Sequence, residues 1–244
     1  MSSSYKAVCS DFYVNLKLNL KLELPRGRET VLSMFERVRR QYPGMTDFKR
    51  YKDELALESP SGSSPHRWIA VRSSSVRAGV VNVDELEEAY ALHRAILEVA
   101  PYFLSISPLD VDFVEVLYGF DLTAGGNHDA IVAEALLGGS TLARLFDVPG
   151  GGPIDCQPVF GVSLGRGSGV EAYFEVKTRP GASRERERGE EPISVYLTLR
   201  KHGPIHELGE LVRTFDDLAV RGEELVEARV LPGLVVPIRD AIVP

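Results

Sequence analysis

Asn15-Leu16-Lys17-Leu18-Asn19-Leu20-Lys21-Leu22-Glu23-Leu24 alternates polar and apolar residues without a break. A period of two over this length puts every leucine on one side of an extended chain and every asparagine, lysine and glutamate on the other. That is a β-strand with one buried face and one wet face. A strand covered on both faces, as in a parallel sheet, reads as a continuous apolar run. The stretch therefore predicts an antiparallel or mixed sheet with one open face.

Beyond Pro25-Arg26-Gly27 the period changes. Val31, Phe35, Val38 and Tyr42 fall at helical spacing, and Pro43-Gly44 ends that helix. Strands are expected over 51–58 and 67–77, joined by the turn-rich Ser59-Pro60-Ser61-Gly62-Ser63-Ser64-Pro65. This places Ser73-Ser74-Ser75 on a strand surface. A second helix is expected from Asn82, whose side chain can cap it while Glu85 reaches back. Leu86, Ala89, Tyr90, His93, Ile96 and Leu97 make its inner stripe, and Pro101 lies near its end.

The order then recurs. A strand over 112–122 carries Val114, Val116, Tyr118, Phe120 and Leu122 on one face. Gly125-Gly126 turns the chain, and Asn127 can cap a helix through Ile131, Ala135, Leu142 and Leu145, with a break at Gly138-Gly139. Strands are expected over 154–164, 170–179 and 193–200, the first two joined by the turn Gly165-Arg166-Gly167-Ser168-Gly169. A long helix from Leu208 to Leu225 and a short strand over 234–238 close the chain. The charge-alternating stretch over 180–192, with Arg184, Arg186 and Arg188 set among glutamates, reads as a mobile, solvated loop.

Written as elements, the chain is βαββα followed by βαβββα. The orders match although the residues do not. This predicts an α+β fold of two similarly ordered halves, 1–104 and 105–244, packed as a pseudo-duplicated unit with mainly antiparallel sheet. The order within each half is ferredoxin-like, with helices on one sheet face. A fold order implies no activity.

Composition narrows the class. The 244 residues suit one large or two small domains. With 44% hydrophobic and 26% charged residues, a sizeable core forms without staples. The formal net charge of -7 gives no support for phosphate-backbone or anionic-membrane binding. Cys9 and Cys156 are too few for a disulfide framework or a four-cysteine zinc site; they are expected to be reduced thiols, Cys156 buried in a strand. No apolar stretch approaches the roughly 20 residues of a membrane span. The N-terminal stretch lacks an apolar run behind a basic segment, so the expected location is cytoplasmic.

Chemistry-bearing residues are sparse. Gly125-Gly126-Asn127-His128-Asp129 sits at a strand-to-helix turn, where backbone amides favour anions and His128 could act as acid, base or ligand. The plainer account is that the glycines turn, Asn127 caps, and Asp129 complements the helix dipole; it leaves only His128 unexplained. Asp110, Asp112, Glu115 and Asp121 lie on or beside one strand. Alternation separates Asp112 from Glu115 and Asp121, and a solvated strand face accounts for them. His93 reads as a hydrogen-bonded core histidine, His66 as exposed in its loop. His202 and His206 are split by Pro204 and lack a third ligand nearby. Tyr173 and Tyr196 fall on wet strand faces and suit an interface or ligand surface, as do Trp68, Arg72 and Arg77. The chain contains no GxxxxGK[ST] and no GxGxxG, so no cofactor or metal is implied.

Two readings follow. The favoured one is a non-catalytic binding or assembly module that uses its sheet face or edges for a homo-oligomer, a protein or a small molecule. The alternative is a small-molecule enzyme with His128 as acid or base, Asp129 and Glu115 orienting it, and Gly126 and Asn127 binding the ligand.

Overall fold

The leucine alternation forms a strand displaced four residues toward the N-terminus. In the computed structural model, which describes residues 5–24, 27–165, 167–178 and 191–242, β1 is Asp11–Leu20. Phe12 and Val14 extend the alternation backwards, and with Leu16, Leu18 and Leu20 they are buried. The strand ends where its neighbours do: Asn19 pairs with Ser75 on one side, and Leu20 with Val111 on the other. Leu22, past that point, is 65% exposed.

The remaining elements are α1 (Arg28–Gln41), β2 (Asp47–Arg50), β3 (Leu55–Glu58), β4 (His66–Val71), β5 (Ser75–Val81), α2 (Leu86–Leu104), β6 (Val111–Thr123), α3 (His128–Leu137), β7 (Val159–Ser163), β8 (Val170–Lys177), β9 (Pro192–His202) and α4 (Glu210–Leu225). A π-helical segment, Val226–Val235, joins α4 to α5 (Val236–Ile242). The strands make one nine-stranded sheet in the order β2-β3-β4-β5-β1-β6-β9-β8-β7. Every neighbouring pair is antiparallel. A ferredoxin-like sheet is antiparallel too, but only one strand separates the two that flank its first helix; here β3, β4 and β5 lie between β1 and β2, so the ferredoxin-like order is not the order of this sheet. Instead, a strand and a helix lead into an antiparallel meander and a second helix, twice along the chain, and β1 and β6 pair at the centre.

Turn chemistry explains the missed strands. The 67–77 run is a tight hairpin, with Arg72 N–H donating to Ser75 O across Ser73-Ser74, which are turn residues and not strand surface. In the 51–58 run Tyr51 N–H donates to Glu54 O, so only its second part is strand, and β2 lies before it. Asn82 does not cap α2, which begins four residues later. Its backbone adopts φ 56°, its Oδ1 accepts from Phe12 N–H (3.0 Å) and its Nδ2 donates to Asp11 (2.6 Å), so it clamps the start of β1. The stretch over 234–238 is helical, not a strand. Pro232 has no N–H to give to an i−4 carbonyl, and the wider π-helical turns carry the chain past it with Val226, Val230, Val235 and Ile238 buried. Cys156 is buried, but in the loop before β7. The charged stretch over 180–192 falls almost entirely outside the described residues.

Helices α2 and α4 pack on the sheet face carrying Val114, Val116, Tyr118 and Phe120; α1 packs on α2, and α3 on α5. The Tyr118 hydroxyl ties the layers together, donating to Ala219 O (3.0 Å) and meeting the Tyr90 hydroxyl at 2.7 Å. No helix among the described residues is long and apolar enough to cross a membrane.

Candidate functional site

The turn before α3 is built as a helix start. Gly126 has φ +76°, which a side chain would strain. Asn127 Oδ1 accepts from Ala130 N–H (3.1 Å), while its Nδ2 donates to Pro153 O (3.0 Å). His128 is buried, and its Nε2 donates to Ala124 O at 2.9 Å, which fixes the proton on that nitrogen. Its Nδ1 is buried without a hydrogen-bond partner among the described residues. Asp129 is also buried, and one carboxylate oxygen accepts from Cys156 N–H (2.9 Å) and from the Thr178 hydroxyl (2.7 Å). The carboxylate thus fastens α3 to the loop before β7 and to the end of β8. Asp129→Ala is expected to destabilise the fold by about 2–4 kcal/mol, because it strands two buried donors. Urea denaturation checks this, and a loss below about 0.5 kcal/mol contradicts the fastening role.

Glu115 stands apart from that turn, on the sheet face opposite α2 and α4. Its neighbours follow from the register. Arg77, Lys17, Glu115, Arg200 and Glu171 form one row across β5, β1, β6, β9 and β8. Glu115 Oε2 accepts from Arg200 Nε (2.9 Å) and Nη2 (2.6 Å). Lys17 makes no ion pair among the described residues; its ammonium lies 5.1 Å from the centroid of the Phe113 ring. Arg77, directly opposite Lys17, rests on Trp68 at 5.6 Å and reaches Glu54 only at 3.9 Å. Burial, and after it the neighbouring Arg72, pulls the Arg77 guanidinium below its ordinary pKa. Arg200 lies 4.4 Å from Phe113 and 5.7 Å from Tyr173.

The tyrosines singled out from the sequence lie on this face. Tyr196 pairs with Gly119 across β6, and its ring is 6.4 Å from that of Tyr13. The Tyr13 hydroxyl donates to Asp121 (3.3 Å); burial first, then the hydrogen bond with Tyr196, raises its pKa. Tyr173 donates to Glu171 at 2.7 Å. Rings lie flat over strand glycines, Tyr13 over Gly119 and Trp68 over Gly79, where any Cβ would collide with them. Asn15 Oδ1, packed against Gly79, is a buried acceptor without a partner among the described residues. The face thus joins cations, aromatic rings and one unused acceptor.

No protein-family model matches the chain, and no curated protein matches it. Among solved structures it is similar to the di-domain ARO/CYC BexL from the BE-7585A biosynthetic pathway, at 6% sequence identity over 95% of this chain and 99% of that one. The TM-score is 0.21, too low to carry an argument.

Sequence reading missed Lys17, Phe113 and the pairing of Glu115 with Arg200. Phe113 falls on the face of Glu115 by plain alternation; the bulge of β6 lies just before it, where the register shifts at Asn19/Leu20, so Asp112 is the extra residue and Val111 and Val114 are both buried. Asp112 accepts from Asn19 Nδ2 at 3.1 Å. His202, at the end of β9, lies 3.6 Å from Glu171 and 5.6 Å, ring to ring, from Phe113. Among the described residues no three His, Cys, Asp or Glu side chains are grouped to hold a metal. Two surface depressions, of about 260 and 440 Å³, lie elsewhere; neither is lined by Asn127, His128, Asp129 or Glu115.

Proposed function

We propose that this chain is a non-catalytic binding module whose open sheet face takes up an acidic protein segment. The observation that carries this is the placement of Lys17 directly opposite Arg77 at the middle of the sheet. Like charges facing each other across two strands destabilise a sheet, and an incoming carboxylate between them offsets that cost. Glu115 faces Lys17 from the other side but is bonded to Arg200, and Lys17 has no ion pair among the described residues. Trp68, Tyr173 and Tyr196, all partly exposed, flank the cations with the aromatic surface that protein interfaces favour. The net charge of -7 argues against a nucleic-acid backbone as the occupant. The enzyme alternative is less supported, because Asp129 and His128 Nε2 are both committed to internal hydrogen bonds.

The test is a titration of isotope-labelled protein, followed by amide chemical shifts, with a Glu/Tyr peptide and separately with oligothymidine. The expected result is peptide-induced shifts centred on Lys17 and Arg77, with affinity lowered about tenfold or more by K17E/R77E. No peptide response at millimolar concentration, or shifts confined to other faces, ends the proposal. A stronger response to oligothymidine on the same rows replaces it with nucleic-acid binding.

A further inference from the structure

The two edges of the sheet are treated differently. At one end β2 carries Asp47, Lys49 and Arg50 among its four residues, and Lys49 pairs with Glu58 at 2.7 Å. Its one large apolar side chain, Phe48, leans on Phe35 with ring centroids 6.1 Å apart. Charges on an edge discourage pairing with another chain. At the other end β7 reads Val159-Phe160-Gly161-Val162-Ser163, with no charge, no proline and no bulge, and all five residues are exposed. It is the last strand of the sheet among the described residues.

Its hydrogen-bonding groups can be assigned one by one. Pro158 O accepts from Val176 N–H, and Leu164 N–H donates to Val170 O. Even-numbered residues therefore bond to β8, and the N–H and C=O groups of Val159, Gly161 and Ser163 point away from the sheet. Phe160 and Val162 share the helix-side face with Phe174, and together with Leu225, Arg229, Gly233 and Leu234 they line the groove of about 440 Å³. On the strand itself Val159, Phe160 and Val162 are all large apolar side chains exposed to solvent.

We infer that β7 is the pairing edge of a twofold-symmetric homodimer, in which β7 of a second copy adds antiparallel to it about Gly161. The strand is complementary to itself in that register. Gly161 meets Gly161 of the second copy as a hydrogen-bonded pair, and Val159 meets Ser163 of the second copy in the same way, so every outward backbone group of the strand finds a partner. Phe160 then falls opposite Val162 of the second copy in the closer, non-hydrogen-bonded spacing, an aromatic–β-branched pair over the groove. A twofold axis perpendicular to the sheet keeps both helical layers on one side, so apolar faces meet apolar faces. This self-match, with no charge to demand a complementary partner, selects a second copy over an unrelated peptide. It is independent of the open-face proposal, whose residues lie on the other side of the sheet and on other strands.

Sedimentation velocity across a concentration series tests it on the full chain, with two variants. V162K puts a charge on the edge. S163P removes an outward N–H while leaving the bonds to β8, since prolines are tolerated where the N–H faces away from the sheet. The expected result is a dimer at tens of micromolar, a dissociation constant raised about tenfold or more by each variant, and unchanged far-ultraviolet circular dichroism. Hydrogen exchange at the Val159, Gly161 and Ser163 amides is expected to slow as concentration rises. A wild-type chain that stays monomeric at hundreds of micromolar overturns the inference. So does a dimer that folded S163P leaves intact, or one in which those three amides stay unprotected.

Discussion

His93→Leu is expected to remove a loss of stability that the wild-type protein suffers on acidification, worth roughly 5 kcal/mol when fully developed. His93 is completely buried on α2, edge-on to Phe215 of α4 with ring centroids 5.4 Å apart. The sequence placed it in the apolar stripe and suggested a hydrogen-bonded core histidine; the stripe is right, but neither ring nitrogen has a hydrogen-bond partner among the described residues. Burial, helped by the charge of Arg94, drops its pKa from 6.5 to about 3.

The direction of the effect follows from proton uptake. The unfolded chain protonates this imidazole near its ordinary pKa, whereas the folded chain holds it neutral until about pH 3. Above about pH 6.5 both states carry a neutral ring and the group contributes no pH dependence. Between those values the unfolded state binds the extra proton, so folding stability falls as pH falls. At pH 4 the difference between variant and wild type is expected to be roughly 3 kcal/mol larger than at pH 7. At pH 7 itself leucine is expected to be neutral or stabilising, since two unpaired polar nitrogens leave the core. Urea unfolding of both proteins from pH 7 to 3.5 measures this, and parallel stability curves contradict a buried neutral imidazole.

How much of the molecule could be read beforehand depended on the range of the forces involved. The alternation of β1 and β6 and the stripe of α2 are local consequences of burying one face, and they are legible in ten residues or so. Strand ends are not local. β1 stops where Ser75 and Val111 run out as partners, and nothing in the leucine repeat records that. The hairpin at Ser73-Ser74 and the clamp by Asn82 were hidden by the same ambiguity: serine and asparagine serve turns, strand surfaces and helix caps alike, and only the tertiary partner decides. The tail was misread because Val235 and Ile238 suit a short strand as well as a helix, until α4 is seen running into the π-helical turns that carry the chain past Pro232.

The candidate site divides along the same line. The glycine turn and Asn127 cap are short-range features, and the structure places them in those roles. Asp129's hydrogen bonds span 27 and 49 residues, and Glu115's partner is 85 residues away, so no local spacing could reveal either. Lys17 is the instructive case. In sequence it is one polar residue of a repeat; the register sets it beside Arg77 and over Phe113, and only then does it become an unpaired cation on an aromatic surface.

Gly222→Ala, a change that normally strengthens a helix, is expected to weaken this protein by about 2–3 kcal/mol. Gly222 faces the Tyr118 ring, and a Cβ there would collide with it, lying only 2.8 Å from Cζ and 2.9 Å from the hydroxyl oxygen. The ring has no room to retreat, because Tyr118 is fully buried and its hydroxyl bridges Ala219 O and Tyr90. Moving it would give up hydrogen bonds worth about 1 kcal/mol each, while shifting α4 would open the interface with β6. Against these losses the alanine gains about 1 kcal/mol of helix propensity, which is too little to offset them. For a chain of this length the melting temperature should fall by about 5–10 °C. The same substitution in a Tyr118→Val background should instead be neutral or stabilising, because the ring it strikes is gone. A reversal of sign between the two backgrounds isolates the close approach of α4 to β6 as the cause. Equal losses in both would place the cost elsewhere in the helix and remove Gly222 from the account of how the layers meet.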